Sequence, residues 1–138
     1  VPEKTEGEAS MTRRAINEVP SLGKVLGPYS RAVWAGNLLY LSGQLGLDPA
    51  NGKPVEGGVA AETQQLLKGL ATVLEAAGLG MGDVIKANVY LTDMNEFGAM
   101  NKVYETFFDA PYPARTTVAV AALPSGGHVE IELVAHRA

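Results

Sequence analysis

Apolar and polar positions alternate along this chain in two periods, and the change of period marks the elements. Arg13-Arg14-Ala15-Ile16-Asn17 predicts a short first strand, and Pro20 to Pro28, with Gly23 and Gly27, predicts a loop. Ala32-Val33-Trp34-Ala35 and Leu38-Leu39-Tyr40-Leu41-Ser42 flank Gly36-Asn37, the pattern of a β-hairpin closed by a two-residue turn. A second loop carries Asp48-Pro49 and Asn51-Gly52. From Val59 to Ala77 the spacing becomes helical: Val59, Leu66, Leu67, Leu70, Val73, Leu74 and Ala77 recur with that period, and Gly78 is a natural stop. Asp83 to Leu91 returns to the strand period, with Val84, Ala87, Val89 and Leu91 apolar. A second helix is predicted from about Asn95 to Phe108, ended by Pro111, and two strands follow, Arg115 to Ala122 and His128 to His136.

The order β-β-β-α-β-α-β-β predicts an α+β domain with about six strands and both helices on one sheet face. The other face then lacks cover. Either further copies of the chain lie against it, or it remains a partly wet antiparallel sheet.

Composition narrows the function classes. The 138 residues suit one domain, placed at residues 12–138, with 46% hydrophobic and 19% charged residues. The formal charge is −4 and no run of Lys and Arg forms a basic stripe, which argues against nucleic acid as partner. With no cysteine, disulfides, thiolate metal sites and a Cys nucleophile are excluded. No apolar run reaches the roughly 18 residues of a membrane span. Residues 1–11 read as a disordered tail or remnant, without the marks of a signal or transit peptide, and Met11 is a candidate start. A cytoplasmic location is expected, with an organelle as the alternative.

Chemistry concentrates in Tyr112 to Glu132. Arg115 heads a small, apolar strand, and Glu130 lies in the next one. A guanidinium on a strand offers a planar fork for a carboxylate, and a carboxylate on a neighbouring strand can move protons or orient water. The pair points to a small carboxylic acid as ligand. Glu132 shares the strand face of Glu130, so one of the two is expected to hold its proton more tightly. Arg115 and Glu130 are expected on the order of 15 Å apart along the strand direction, which favours a site shared between subunits. Other signals fail. Gly78-Leu-Gly-Met-Gly82 follows a helix and precedes a strand, the wrong order for a dinucleotide loop. His128 and His136 are roughly 26 Å apart on one strand, too far to share a metal. Asp93 and Asn95 lack further calcium ligands, and nothing marks Lys86 for a Schiff base.

Gly27-Pro-Tyr-Ser, Leu41-Ser-Gly-Gln, Gly57-Gly-Val, Val84-Ile-Lys, the helix Met94 to Phe108, Tyr112-Pro-Ala-Arg-Thr-Thr-Val and Ala121-Ala-Leu-Pro-Ser-Gly-Gly-His-Val-Glu-Ile-Glu together resemble the reactive intermediate deaminase A family, also called YjgF-type. The resemblance covers about Thr12 to Arg137. It implies a chorismate-mutase-like α+β fold, a mixed sheet assembled as a homotrimer with sites in the clefts between subunits. It also implies cofactor-free hydrolysis of 2-enamino and 2-imino acids, such as 2-aminoacrylate and 2-iminobutyrate, to 2-oxo acids and ammonia.

Carried over by that resemblance, Arg115 anchors the substrate carboxylate and Glu130 orients water or shuttles a proton. Tyr29 lies beside the ligand, Ser42 hydrogen-bonds in the pocket, and Asn101 lines it from the second helix. Thr117 stands where many relatives have Cys, so any thiol role is lost while a backbone N–H role survives. Two other classes compete. Some relatives are described as ribonucleases or translation inhibitors, which the acidic charge disfavours. A non-catalytic small-carboxylate-binding or chaperone-like protein would use the same clefts, and Arg115 tips the reading toward catalysis.

Overall fold

The hairpin turn forms as its residues dictate: β2 (Ala32–Ala35) and β3 (Leu38–Leu45) pair antiparallel, Ala35 opposite Leu38, with Gly36 at φ 59°. This computed structural model describes residues 13–138, so the tail expected over residues 1–11 lies outside the described residues. β1 (Arg14–Ile16) adds to the free side of β2. β3 runs three residues beyond its expected end, through a register shift between Leu41 and Gln44 that leaves Ser42 and Gly43 in a bulge. A glycine there matches the habit of bulges to re-aim side chains beside functional sites.

Helix α1 (Gly58–Ala76) buries Leu66, Leu67, Leu70, Val73 and Leu74 completely or nearly so, and Gly78 at φ 78° ends it. The expected second helix is regular α-helix only over α2 (Phe97–Tyr104), between single 3₁₀ turns at Met94–Glu96 and Glu105–Phe107. Asp93 starts it, its Oδ1 accepting the Asn95 N–H at 2.9 Å. β4 (Val84–Leu91) and β6 (Val129–His136) bury alternate residues, Ala87, Val89 and Leu91 on one and Val129, Ile131 and Leu133 on the other. These side chains face the helices and make the core. Truncating one of them, Ile131 for example, to alanine should remove about 2–5 kcal/mol of stability.

The sheet order is β1-β2-β3-β6-β4-β5, where β5 is Ala114–Ala119. β5 stops three residues short of the expected Ala122, and its last bond to β4 is the Val120 N–H donating to the Leu91 carbonyl at 2.8 Å. One expectation is corrected here. The strands of Arg115 and Glu130 are not neighbours: β6 inserts between β3 and β4, and β5 lies parallel to β4 at the sheet edge. A parallel neighbour needs a long crossover, and the segment carrying α2 supplies it. The link 120–128, nine residues with Leu123–Gly127 inside it, then carries the chain past the end of β4 rather than closing a hairpin.

Both helices cover one face, and α1 packs on β3, β6 and α2. The opposite face stays open. It displays Tyr40 and Ser42 from β3, Asn88 and Tyr90 from β4, and Glu130 and Glu132 from β6.

Candidate functional site

Arg115 is fixed from the helix side. It pairs with the buried Ala87 across β4 and β5, so its side chain points toward α2. There Nη1 donates to Asn101 Oδ1 at 2.6 Å. The guanidinium carbon lies 4.7 Å from the centre of the Tyr104 ring and 5.4 Å from that of Phe97. Phe97, Asn101 and Tyr104 follow an i, i+4, i+7 spacing, one face of α2. The Tyr104 hydroxyl is buried without a hydrogen-bond partner, and burial pushes its phenol up. The neighbouring guanidinium carbon stands over the phenol ring, where the attraction is to the ring face. Among the described residues no carboxylate pairs with Arg115. A half-buried cation with one neutral partner and free N–H groups is a site prepared for an anion.

Glu130 and Glu132 lie on the open face. Glu132 accepts hydrogen bonds from the Tyr90 hydroxyl and, at 3.4 Å, from Asn88 Nδ2. That bond, with burial and the nearby carboxylates, pushes the Tyr90 phenol up to about 12. Glu130 sits opposite Tyr90 and Leu45, and its carboxylate rests against the bulge at Gly43, where an added Cβ would come within 2.3 Å of Oε2. Burial, then the charge of Glu132, raises the Glu130 carboxyl above the usual glutamate range. Such a group keeps its proton to higher pH than an ordinary glutamate.

Arg115 lies level with Ala87 and Glu130 level with Tyr90, three rungs along β4 and on the two sides of it. Their Cα atoms are therefore about 14 Å apart, of which about 10 Å lies along the strand direction, less than the expected 15 Å or so. An odd offset also puts them on opposite faces of the sheet. One chain does not bring both to one small molecule.

The remaining residues named from the sequence are scattered in the same way. Ser42 Oγ donates to the Ser30 carbonyl at 2.6 Å, and its backbone N–H donates to the Arg31 carbonyl. It thereby pins the loop that carries Tyr29, whose exposed ring lies over Gly27. Arg31 holds the front of that loop, Nη2 donating to the Leu22 and Gly23 carbonyls. Asn101 touches Arg115, and Thr117 shares the helix-side face of β5 with it. The structure thus groups Arg115, Asn101 and Thr117 on one side, and Ser42, Glu130 and Glu132 on the other.

Residues 21–137 match the family described as endoribonuclease L-PSP. The chain belongs to that family. A Mus musculus protein named 2-iminobutanoate/2-iminopropanoate deaminase is 46% identical over 127 residues, which span 92% of this chain and 93% of that protein. Among solved structures, RidA from the Antarctic bacterium Psychrobacter superposes with a TM-score of 0.83 at 42% identity, over 90% of this chain and all of that one. The E. coli YjgF gene product gives 0.83 at 38% identity, over 91% of this chain and 99% of that one. The resemblance carried by Tyr112-Pro-Ala-Arg and Val129-Glu-Ile-Glu is therefore borne out for the family and for the α+β fold.

In this member of the family, five residues that the sequence reading does not single out shape the site: Phe97, Tyr104, Asn88, Tyr90 and Gly43. The spacing of Phe97, Asn101 and Tyr104 on the helix before the arginine strand is a signal for the first two. Alternation along β4 places Asn88 and Tyr90 on the face away from the core, where two polar groups have reason to meet a partner. The contact of Gly43 with Glu130 has no sequence signal beyond a glycine inside a strand.

Proposed function

We propose that this chain is a deaminase that hydrolyses 2-imino and 2-enamino acids, 2-iminobutanoate and 2-iminopropanoate among them, to 2-oxo acids and ammonia. The observation that carries this reading is the Arg115 fork, without a carboxylate partner among the described residues, stacked on Tyr104 and held by Asn101, in a chain so similar to a named deaminase. The fork takes the substrate carboxylate in two parallel hydrogen bonds. Glu130, carrying a proton, gives it to the enamine carbon or the imine nitrogen, which makes C2 electrophilic. As a carboxylate it then accepts a proton from the water that adds to C2. Returning that proton to the amino group lets ammonia leave: the C2–N bond breaks, the C2=O bond forms, and the C2 hydroxyl gives its proton to Glu130, which is restored for the next cycle. No outside oxidant or reductant is required.

The site in this reading is shared. Arg115, Asn101 and Thr117 come from one copy, and Glu130, with Tyr29 held by Ser42, from the next around a homotrimer. Opposite-face placement of Arg115 and Glu130 and the open sheet face support this assembly. No described helix is long and apolar enough to cross a membrane, and the small polar substrate suits the cytoplasm.

The test generates 2-iminobutanoate in situ and follows ammonia and 2-oxo acid above the uncatalysed rate. Acceleration by the purified chain supports the reading. No acceleration, with binding of a 2-oxo acid intact, would leave a carboxylate-binding protein. The family description supplies the other arm, cleavage of RNA at the same protein concentration. RNA cleavage without imine hydrolysis would overturn the deaminase assignment.

A further inference from the structure

Among the described residues Glu62 is the one charged side chain that is buried, at 1% exposure. It stands in the apolar stripe of α1, between Val59 and Leu66. An apolar residue would fill that place without taking a carboxylate out of water. Both of its oxygens go to one residue: Oε1 accepts the His128 backbone N–H at 2.8 Å, and Oε2 meets His128 Nδ1 at 2.7 Å. The other side of His128 is held by the end of β4, where the Thr92 N–H donates to the His128 carbonyl at 3.2 Å. His128 is the last residue before β6 and stands two before Glu130.

This grip falls where the sheet alone holds Glu130 least. On the β4 side the pairing runs unbroken from Lys86 to Leu91. On the β3 side the bulge interrupts it, and only Gln44–Ile131 and Leu45–Glu130 pair beyond that point. The Glu130 carboxylate rests on the same bulge, at Gly43. The end of β3 reaches Glu62 as well, since Gly46 runs so close to the Glu62 backbone that no side chain would fit there. Helix α1, the end of β3 and the start of β6 therefore meet at one buried carboxylate.

We propose that Glu62 is a positioning residue for the deamination: by clamping His128 it fixes how β6 lies against the β3 bulge, and so where the Glu130 carboxylate stands. The inference rests on the deaminase reading for its kinetic consequence, while the placement itself needs no substrate. Glu62 forms no hydrogen bond with Glu130 or Arg115, and it acts on the reaction only through β6. Its loss should therefore appear in kcat and little in KM, which the Arg115 fork governs.

The test compares three variants of the full chain. Glu62→Leu fills the space and removes the clamp. Glu62→Asp draws the carboxylate back by about 1.5 Å, one bond, and serves the same comparison if Glu62→Leu does not fold. Glu62→Gln keeps an oxygen for the His128 N–H and an amide for Nδ1. Without substrate, the His128 amide should be protected from hydrogen exchange in the wild type and in Glu62→Gln. It should exchange about tenfold faster or more in Glu62→Leu, with the Glu130 amide resonance displaced. In imine hydrolysis Glu62→Leu should lower kcat about 10- to 100-fold and Glu62→Asp about 3- to 10-fold, with KM within about twofold, and Glu62→Gln should stay within about threefold of wild type. Added to Glu130→Gln, Glu62→Leu or Glu62→Asp should cost less than about twofold more, because no carboxylate is left to misplace; a general loosening of the fold would cost both backgrounds alike. A wild-type His128 amide that exchanges as freely as an unbonded loop amide would overturn the proposal, as would undiminished kcat in the clamp variants or equal losses in the two backgrounds. Loss of His128 protection and displacement of Glu130, in a chain without imine hydrolysis, would uphold the placement and remove the deaminase reading alone.

Discussion

Gly43→Ala isolates the placement of Glu130 from the stability of the fold. A Cβ at position 43 would stand 2.3 Å from Glu130 Oε2, 3.0 Å from its Cδ and 3.1 Å from its Cγ. Ordinary carbon–oxygen contacts begin near 3.3 Å, so the carboxylate has to retreat by about 1 Å. Gly43 is not among the positive-φ glycines, so alanine suits its backbone. The crowding falls on the end of a flexible side chain, and the global stability should change by no more than about 1 kcal/mol. Catalysis is less forgiving. A misplacement of about 1 Å is enough for roughly a hundredfold loss, or about 2.7 kcal/mol of transition-state stabilisation. The assay compares kcat/KM for imine hydrolysis with the thermal midpoint, beside Gly98→Ala, whose Cβ would meet open space. Gly43→Ala that folds normally and turns over within about twofold of wild type would show that the chemistry does not depend on where Glu130 stands.

Arg115→Ala should lower kcat/KM about 30- to 1,000-fold, or about 2–4 kcal/mol, and Arg115→Lys should restore little because an ammonium lacks the planar fork; an Arg115→Ala protein of undiminished activity would refute the anchor. Glu130→Gln should trade activity for stability in a pH-dependent way. Because burial and the Glu132 charge raise the Glu130 carboxyl in the fold, its stabilising contribution is full below its unfolded pKa of about 4.3 and is lost as pH rises through the raised folded value. Denaturant melts should therefore show the variant matching wild type in acid and exceeding it at neutral pH, and a variant less stable than wild type at neutral pH would contradict the cause assigned to the shift.

How much of this could be read from the sequence depended on which forces decide each feature. Alternation in Val84–Leu91 and Val129–His136 translates directly into burial because each apolar side chain meets α1 or its neighbours. The Gly36 turn and the Gly78 stop are local, and both form as expected. β5 is harder: its side chains are exposed or half-exposed, so neither its end nor its partner is marked by pattern. The identities of Arg115 and Glu130 were legible as chemistry, but their opposite faces were not, since insertion of β6 between β3 and β4 is a tertiary choice. The bond from Arg115 to Asn101 likewise depends on how α2 is rotated over the sheet edge. Glu62 is a further instance: a glutamate in an apolar helix run turns out buried, accepting the His128 backbone N–H at 2.8 Å and meeting its Nδ1 at 2.7 Å, which anchors the start of the Glu130 strand.

The central claim is that Arg115 of one copy works with Glu130 of another, and mixing two inactive variants tests it directly. Arg115→Ala and Glu130→Gln proteins are unfolded together in equal amounts, refolded and assayed for imine hydrolysis. In a trimer with shared sites, about one site in four receives both native residues, so about a quarter of wild-type activity should return from two nearly silent parents. If the mixture reassembles into hybrid trimers and stays as inactive as its parents, each chain carries its own complete site and the account is wrong.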